Sequence, residues 1–549
     1  MSETRTTVGS EAESPNRQEE QKRAGRGGLA MLVANIYFLL TGLAQQALLP
    51  LAIGVADWGA SARVFAVSNV FNNVIVSSSI QGVSRVVAAA GAFEREALRA
   101  TLRAHLAIAL VATGLLLAAA PLVAHFQSAP EVLTPLVAMG AVLAIYGVYA
   151  PVVGYINGRR MFGRQATLNI VAATLRTGGM LVIGWLCAHH AVSLAHALGT
   201  LPGLLGVTIG AALAALGVFL LALRWTGTGQ RWAGERPAGV PAFGAYVKLI
   251  VPVMLAQLFV NGLMQADIFI LGRYVSLGAA GGGQELAMTP ANIAVVPSRA
   301  ANEWLAVYRA CQLFAFLPYQ FLFSVTQVLF PMLARAKTEE GDARVAELVS
   351  RGSRIGAIVC GLMVAMIVAM PQSMIRLAYN ADIAREGAPA LRLLVLGQAA
   401  FAMLSLTTTI LVSLGRERTA MTLTAVALAL LVVTSMVFIP QATFGRPQLI
   451  AAATATLTAL GGSLIFGVFS VRRVAGAFVP LKTALRVGGC IAGAAVLGLY
   501  VPPLGKVMTL AAAPAIGLAY LVALIVTGEL GKADLSLVLT ILRPKKSPS

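Results

Sequence analysis

Residues 64–90 read VFAVSNVFNNVIVSSSIQGVSRVVAAA. The stretch is long enough to cross a bilayer core, which takes about 20 apolar residues as a helix. Yet Asn69, Asn73, Ser77, Gln81 and Arg85 recur within it every four residues, and on a helix that spacing makes one slowly drifting polar stripe. An ionised group at mid-bilayer costs about 2.5–3.5 kcal/mol on insertion scales, so it faces a cavity or a partner. Polar side chains also glue helices together, but glue rarely needs a whole stripe. The pattern implies a membrane helix with one side on a hydrated cavity.

Thirteen more apolar stretches of spanning length surround it. The first half reads 29–54, 64–90, 104–126, 132–156, 166–187 and 197–223; the second reads 249–270, 304–333, 355–374, 393–414, 421–440 and 449–471. Spans 487–501 and 507–527 close the series. The chain is 58% hydrophobic and 11% charged, far from the composition of a soluble domain. From the N-terminal tail through every second gap to the C-terminal tail, the Lys/Arg counts are 5, 3, 3, 4, 5, 2, 4 and 4. The intervening gaps hold 1, 0, 0, 2, 3, 1 and 1, so the division is 30 against 8. Basic loops stay in the cytoplasm, which places both termini there. The expected fold class is therefore an all-α polytopic membrane protein of about fourteen helices. Its net charge of +19 reflects that bias and contact with anionic membrane lipid, with no nucleic acid implied.

Residues 1–28 are polar without an apolar core and read as a disordered cytoplasmic tail; 531–549 form a second tail. A linker at 225–244, with Gly, Pro, Arg and Trp, divides a first lobe (29–224) from a second (245–472), leaving helices 13–14 at 473–530. Offset by 243, Asn69, Ser77 and Ser84 meet Gln312, Gln320 and Gln327. The turn Gly158-Arg159-Arg160 has a counterpart at Gly415-Arg416-Glu417-Arg418. Corresponding elements lie six spans apart, so the two copies are expected to be parallel repeats. The gap 271–303 is long and Gly-rich, and disorder is the expectation there.

Asp267 is the one acid within a span, near the outer end of its helix. Arg176 lies near the middle of span five, Arg85 toward the cytoplasmic end of span two, and Arg309 near the outer end of span eight. Span one adds Asn35, Gln45 and Gln46, and span eight Gln312, Gln320, Ser324 and Gln327. Arg85 and Arg309 can instead snorkel to an interface, and Asp267 can pair with an arginine. Taken together, these residues suit a weakly cationic cavity for a large, polar, anionic cargo. Asp267 is the candidate site for an H⁺ or Na⁺ coupling ion. No cofactor is expected. Cys187, Cys311, Cys360 and Cys490 lack metal-ligand spacing and read as packing residues, and His189, His190 and His196 as a solvated loop.

Gly82-Val83-Ser84-Arg85-Val86-Val87-Ala88 resembles the stretch that closes span two in bacterial polysaccharide flippases. These form the O-antigen and exopolysaccharide branch of the multidrug/oligosaccharidyl-lipid/polysaccharide exporter superfamily. Ala266-Asp267-Ile268-Phe269-Ile270-Leu271-Gly272 is similar to that family's pattern, as are Val307-Tyr308 and Leu329-Phe330-Pro331-Met332-Leu333. The Gly158-Arg159-Arg160 turn fits as well, so the resemblance spans roughly residues 29–530. It implies two six-helix lobes in a V around a central cavity, plus two extra C-terminal helices. It also implies alternating access and movement of undecaprenyl-pyrophosphate-linked sugar units from the inner to the outer leaflet of the bacterial inner membrane. Asn69, Asn73, Gln81, Arg85, Arg176, Arg309, Gln312, Gln320 and Gln327 are then the candidate substrate-binding residues. Partners would be a glycan polymerase or glycosyltransferases of polysaccharide biosynthesis, lipopolysaccharide among the products. Fourteen helices also resemble the lipid II flippase, but span one lacks that relative's basic residues.

Two rivals follow from the same sequence. A cation-coupled multidrug exporter favours membrane-embedded acids, whereas one acid stands here against three arginines. A membrane glycosyltransferase or polymerase needs catalytic carboxylates clustered on an outer loop. Asp57, Glu285 and Glu303 are dispersed, and Asp382 and Glu386 sit beside Arg385 on what reads as a solvated face.

Overall fold

The computed structural model describes residues 15–226, 240–281 and 296–531, and every regular element among them is helical. The first half comprises α1 (Pro15–Ile53), α2 (Val55–Ala89), α3 (Glu94–Phe126), α4 (Leu133–Gly158), α5 (Phe162–His190), the short α6 (Val192–Ala197) and α7 (Pro202–Thr226). The second half comprises α8 (Phe243–Gly281), α9 (Val296–Ala315), α10 (Leu317–Glu339), α11 (Asp342–Ala369), the short α12 (Pro371–Ala378), α13 (Ala381–Ser413), α14 (Glu417–Phe438) and α15 (Arg446–Ala475). A C-terminal pair follows, α16 (Leu481–Tyr500) and α17 (Lys506–Val526).

Twelve helices among the described residues are long and apolar enough to cross a membrane. The long elements outside that set are α2 and the α9–α10 pair, the second and eighth of the fourteen expected crossings. Their polar stripes lower their hydropathy.

Several boundaries differ from the sequence reading. Helix α1 starts at Pro15 instead of Leu29, so residues 15–28 extend a helix; 1–14 and 532–549 lie outside the described residues. Helix α2 starts at Val55, and its first nine residues, read as loop, include Arg63 and are largely buried. Gly54, at φ 87°, reverses the chain between α1 and α2 in a single residue, a backbone conformation that glycine adopts at little cost. Helix α8 continues to Gly281, which leaves Asp267 well inside it. Of the expected disordered loop and the linker, 282–295 and 227–239 lie outside the described residues. Span eight is broken at Phe316, where Pro318 follows at the start of α10. Proline cannot donate its backbone N–H into the preceding turn, which accounts for the break.

The halves are tied at two levels. At one end of the bundle, which also carries the end of α17, Tyr246 and Ile250 of α8 enter the first half's core beside Val83, Val86 and Tyr149. His105 joins Ser79 Oγ (2.9 Å) to the Tyr246 hydroxyl (2.5 Å) in that region. Gly82 makes the approach possible, since a Cβ there would lie 2.8 Å from the Tyr246 hydroxyl. At the opposite, distal end α2 crosses α9 so closely that a Cβ on Gly59 would sit 1.7 Å from the Asn302 carbonyl oxygen. Gly59 and Asn302 are 243 positions apart, the offset at which the halves align. Residues related by a repeat meet each other only beside the axis that relates the copies.

The two matching turns also share a hydrogen-bond pattern. Met161 N donates to Ile156 O and Arg416 N to Leu411 O, with Arg160 (φ 56°) and Gly415 (φ 75°) in the left-handed region. Arg160, not Gly158, is thus the geometric counterpart of Gly415. The C-terminal pair docks on α11 through small residues: Gly361 against Tyr520 and Gly498 against Ala369.

Candidate functional site

The interface of α2, α8 and α9 gathers most of the polar groups buried between the halves. At the distal crossing Arg63 is 1% exposed. Its Nε donates to Asn302 Oδ1 (2.8 Å), Nη1 to Gly272 O (2.8 Å) and Gln127 Oε1 (3.2 Å), and Nη2 to Ser276 Oγ (2.9 Å). Asn302 Nδ2 in turn donates to Glu131 Oε1 (3.1 Å). A buried guanidinium is tolerable only when its donors are satisfied and a counter-charge is near. Here Asn302 links the two charges, and the acceptors come from both halves. Around this latch, Arg273 donates to Phe126 O (2.7 Å) and stacks over the Phe126 ring. Trp58 stacks on Tyr379 at 5.1 Å. The distal end is closed.

Farther along α2 the stripe opens. Asn69, Ser77 and Ser84 are half-buried, whereas Asn73, Gln81 and Arg85 are exposed; Asn73 donates to Asn261 Oδ1 of α8 (2.9 Å). In α10, Gln320 is exposed as well, while the side chains of Ser324 and Gln327 lie outside the described set. On α1, Asn35 is exposed, Gln45 accepts from Thr177 of α5 (3.3 Å), and Gln46 accepts from Trp58 and Tyr379.

Gln312 does not share the open face with Gln320, because the break at Phe316 separates them. It is 1% exposed and turned into the second half, where its Nε2 donates to both carboxylate oxygens of Asp267 (3.1 Å each). Asp267, also 1% exposed, further accepts from the Tyr308 hydroxyl (3.0 Å) and from Ile268 N (2.7 Å). The alternative of an arginine partner for Asp267 is thus not what the structure has: an amide and a phenol take its oxygens at hydrogen-bond distance. Arg309 Nη1 donates to the same Gln312, at Oε1 (3.1 Å). Arg176 of α5 and Tyr379 stand within electrostatic reach of Arg309. The arginines of α5 and α9, which the sequence placed in separate spans, are thereby brought together, while Arg85 lies apart toward the other end of α2. An apolar cleft of about 330 Å³ opens between α1, α9–α10 and α12, lined by Leu43, Ala47, Leu313, Phe314, Leu317 and Leu377.

Sequence reasoning missed Arg63, Gln127, Glu131 and Asn302. One signal was available: Val55–Arg63 contains no proline and carries Asp57 in the first helical turn, so nothing in it stops a helix. No group of three or more metal-ligating side chains occurs among the described residues. Glu386 pairs with Arg385 and Arg446 at the surface (3.3 and 2.8 Å).

This arrangement, two helical halves meeting through α2 and α9 plus a C-terminal pair, is a fold shared with solved membrane-protein structures. The chain is similar over 94% of its length to the whole of a structure described as the lipid II flippase MurJ in an inward closed conformation (TM-score 0.67, 13% identity). An inward-facing multidrug resistance MATE family transporter matches 80% of this chain and 95% of its own (TM-score 0.54, 15% identity). A MOP superfamily transporter from Pyrococcus furiosus, whose binding pocket is described as reversed in polarity, matches 82% and 96% (TM-score 0.52, 15% identity). No family model and no curated protein matches the sequence.

Proposed function

We propose that this protein flips undecaprenyl-pyrophosphate-linked oligosaccharide units from the inner to the outer leaflet of the bacterial cytoplasmic membrane, by alternating access. The cargo belongs to envelope polysaccharide synthesis of the O-antigen or exopolysaccharide kind. The observation that carries the reading is the character of the two lining helices. The second and eighth crossings are the polar ones, and they meet across the halves with amides and arginines in excess of acids. Hydroxyl-rich sugar suits the amides of Asn69, Asn73, Gln81 and Gln320, and a pyrophosphate suits guanidinium groups. A lipid II flippase among the structural matches supports a lipid-borne cargo.

Alternating access then has a physical form. With the distal end latched through Arg63, cargo enters from the side of the termini, which the charge bias assigns to the cytoplasm. Release requires the latch to open while the contact around His105 and Tyr246 closes further. Asp267, the most enclosed acid of the second half's interior, is the site for a coupling H⁺ or Na⁺.

The test is translocation in proteoliposomes of a fluorescent undecaprenyl-pyrophosphate oligosaccharide, beside efflux of an organic cation dye. Lipid movement above that of empty liposomes, reduced by Arg85→Ala or Arg309→Ala, is expected. Dye efflux without lipid movement would assign the multidrug-exporter function instead.

A further inference from the structure

We infer that Gln312 couples the anion site at Arg309 to the ion site at Asp267, by sharing one side-chain amide between them. The inference rests on the reading of Arg309 as a cargo phosphate site and of Asp267 as an ion site. It goes beyond that reading in naming the residue through which the two communicate and the sign of the communication.

The orientation of the amide follows from chemistry. A guanidinium can only donate and an ionised carboxylate can only accept. Oε1 must therefore face Arg309 Nη1 (3.1 Å) and Nε2 must face Asp267 (3.1 Å to each oxygen). In this state Arg309 has one donor committed to Gln312. The amide, held by the carboxylate, cannot turn.

When Asp267 takes up a proton or a sodium ion, its two oxygens no longer both accept from Nε2. The terminal torsion of Gln312 is then free to rotate by half a turn, with Oε1 toward the bound cation and Nε2 toward Arg309. Arg309 loses its acceptor, and two donors now stand side by side, open to an anion. The converse holds by linkage: an anion that takes Arg309 releases Oε1 to face Asp267 and raises the affinity of Asp267 for a cation. Coupling is positive.

The other groups near this pair offer no second hydrogen-bonded route, while the direct charge of Asp267 on Arg309 adds a coupling of the same sign. Tyr308 donates to Asp267 and lies against Thr456 of α15. Arg309 acts on Asp267 by charge, Cys311 lies beside Tyr308, and Arg176 and Tyr379 face Arg309. Of these, Gln312 is the side chain hydrogen-bonded to both Asp267 and Arg309.

The experiment measures equilibrium binding of inorganic pyrophosphate, and separately of a short isoprenyl pyrophosphate, to the purified full-length protein in lipid nanodiscs. Sodium is varied at constant ionic strength and pH is varied in parallel. In the wild type, affinity for the isoprenyl ester should rise about fivefold or more when Asp267 is occupied, the lower end of typical coupling between sites. Asp267→Asn, neutral throughout, should bind tightly with no sodium dependence, and the pH dependence it keeps is that of the ligand's own protonation. Gln312→Met, similar in length without hydrogen-bonding groups, should lose most of the ion dependence, keeping only the part that charge alone carries; its melting temperature, lowered by the stranded Asp267 and Arg309, is read alongside to show that it is folded. Full ion dependence retained in Gln312→Met would overturn the proposal, as would a flat response in the wild type. A response to inorganic pyrophosphate but not to the ester would assign a free anion and overturn the lipid-borne phosphate. Lipid translocation measured on the same preparation separates the failures: flat binding with intact lipid movement refutes the relay alone, and coupled binding without lipid movement refutes the flippase reading alone.

Discussion

Gly59→Ala should push the protein out of its distally closed state. The added Cβ would lie 1.7 Å from the Asn302 carbonyl oxygen, 2.6 Å from its carbon and 3.1 Å from Ala306 N. All three are backbone atoms of α9, so no side chain can turn aside. Restoring ordinary contact near 3.5 Å requires α2 and α9 to separate by roughly 1.5–2 Å. The bond from Arg63 Nε to Asn302 Oδ1, 2.8 Å now, then exceeds hydrogen-bond range, and those to Gly272 O and Ser276 Oγ stretch with it. A hydrogen bond to a charged group is worth about 1.5–3 kcal/mol. Losing one outright and weakening two disfavours the closed state by about 3 kcal/mol, on the order of a hundredfold in population. The assay is double electron–electron resonance between spin labels at Ser128 and Gln441, exposed positions in the distal loops of the two halves, with the four native cysteines replaced. A longer distance should dominate in Gly59→Ala. An unchanged distribution in a folded variant would refute the reasoning, because it would mean that the α2–α9 contact does not set the conformation.

Further outcomes follow from the same geometry. Arg63→Met should shift the same distance in the same direction, and Asn302→Leu more severely, since it strands both Arg63 and Glu131. Arg85→Ala should lower lipid translocation without loss of expression; unchanged transport would reduce Arg85 to an interfacial anchor. Glu529, its side chain 4% exposed, accepts from Arg354, Thr483 and Arg486 at 2.7–3.0 Å and ties the C-terminal pair to α11. Burial pushes its carboxyl up, but these hydrogen bonds outweigh burial and hold it below the usual range. Its stabilisation is therefore complete above the ordinary glutamate value of about 4.3 and disappears as pH falls through the lowered one. Hydrogen exchange in α16 and α17 should accelerate over that acid window in the wild type and already at neutral pH in Glu529→Gln.

The all-α membrane class and the polar character of the second and eighth expected crossings were legible in the sequence, because both follow from periodicity and composition that survive without coordinates. What was not legible depends on where helices end and cross. Arg63 lies one residue before the apolar span and looked like loop, since hydropathy reports lipid contact and the start of α2 contacts protein. Gln312 matched the stripe by spacing, yet the break at Phe316 turns it into the second half, toward Asp267. Asp267 seemed terminal because the apolar run stops near Ile270, while the helix itself continues to Gly281. The proximity of Arg176 and Arg309 joins helices from different halves, and no local pattern encodes it.

Transbilayer movement of a lipid-linked sugar is the most direct readout of the proposed function. Purified protein reconstituted with fluorescent undecaprenyl-pyrophosphate oligosaccharide should expose the label to an outside quencher faster than protein-free vesicles do, and Arg309→Ala should slow it. Exposure no faster than in empty vesicles, from protein that binds no isoprenyl pyrophosphate, would contradict it.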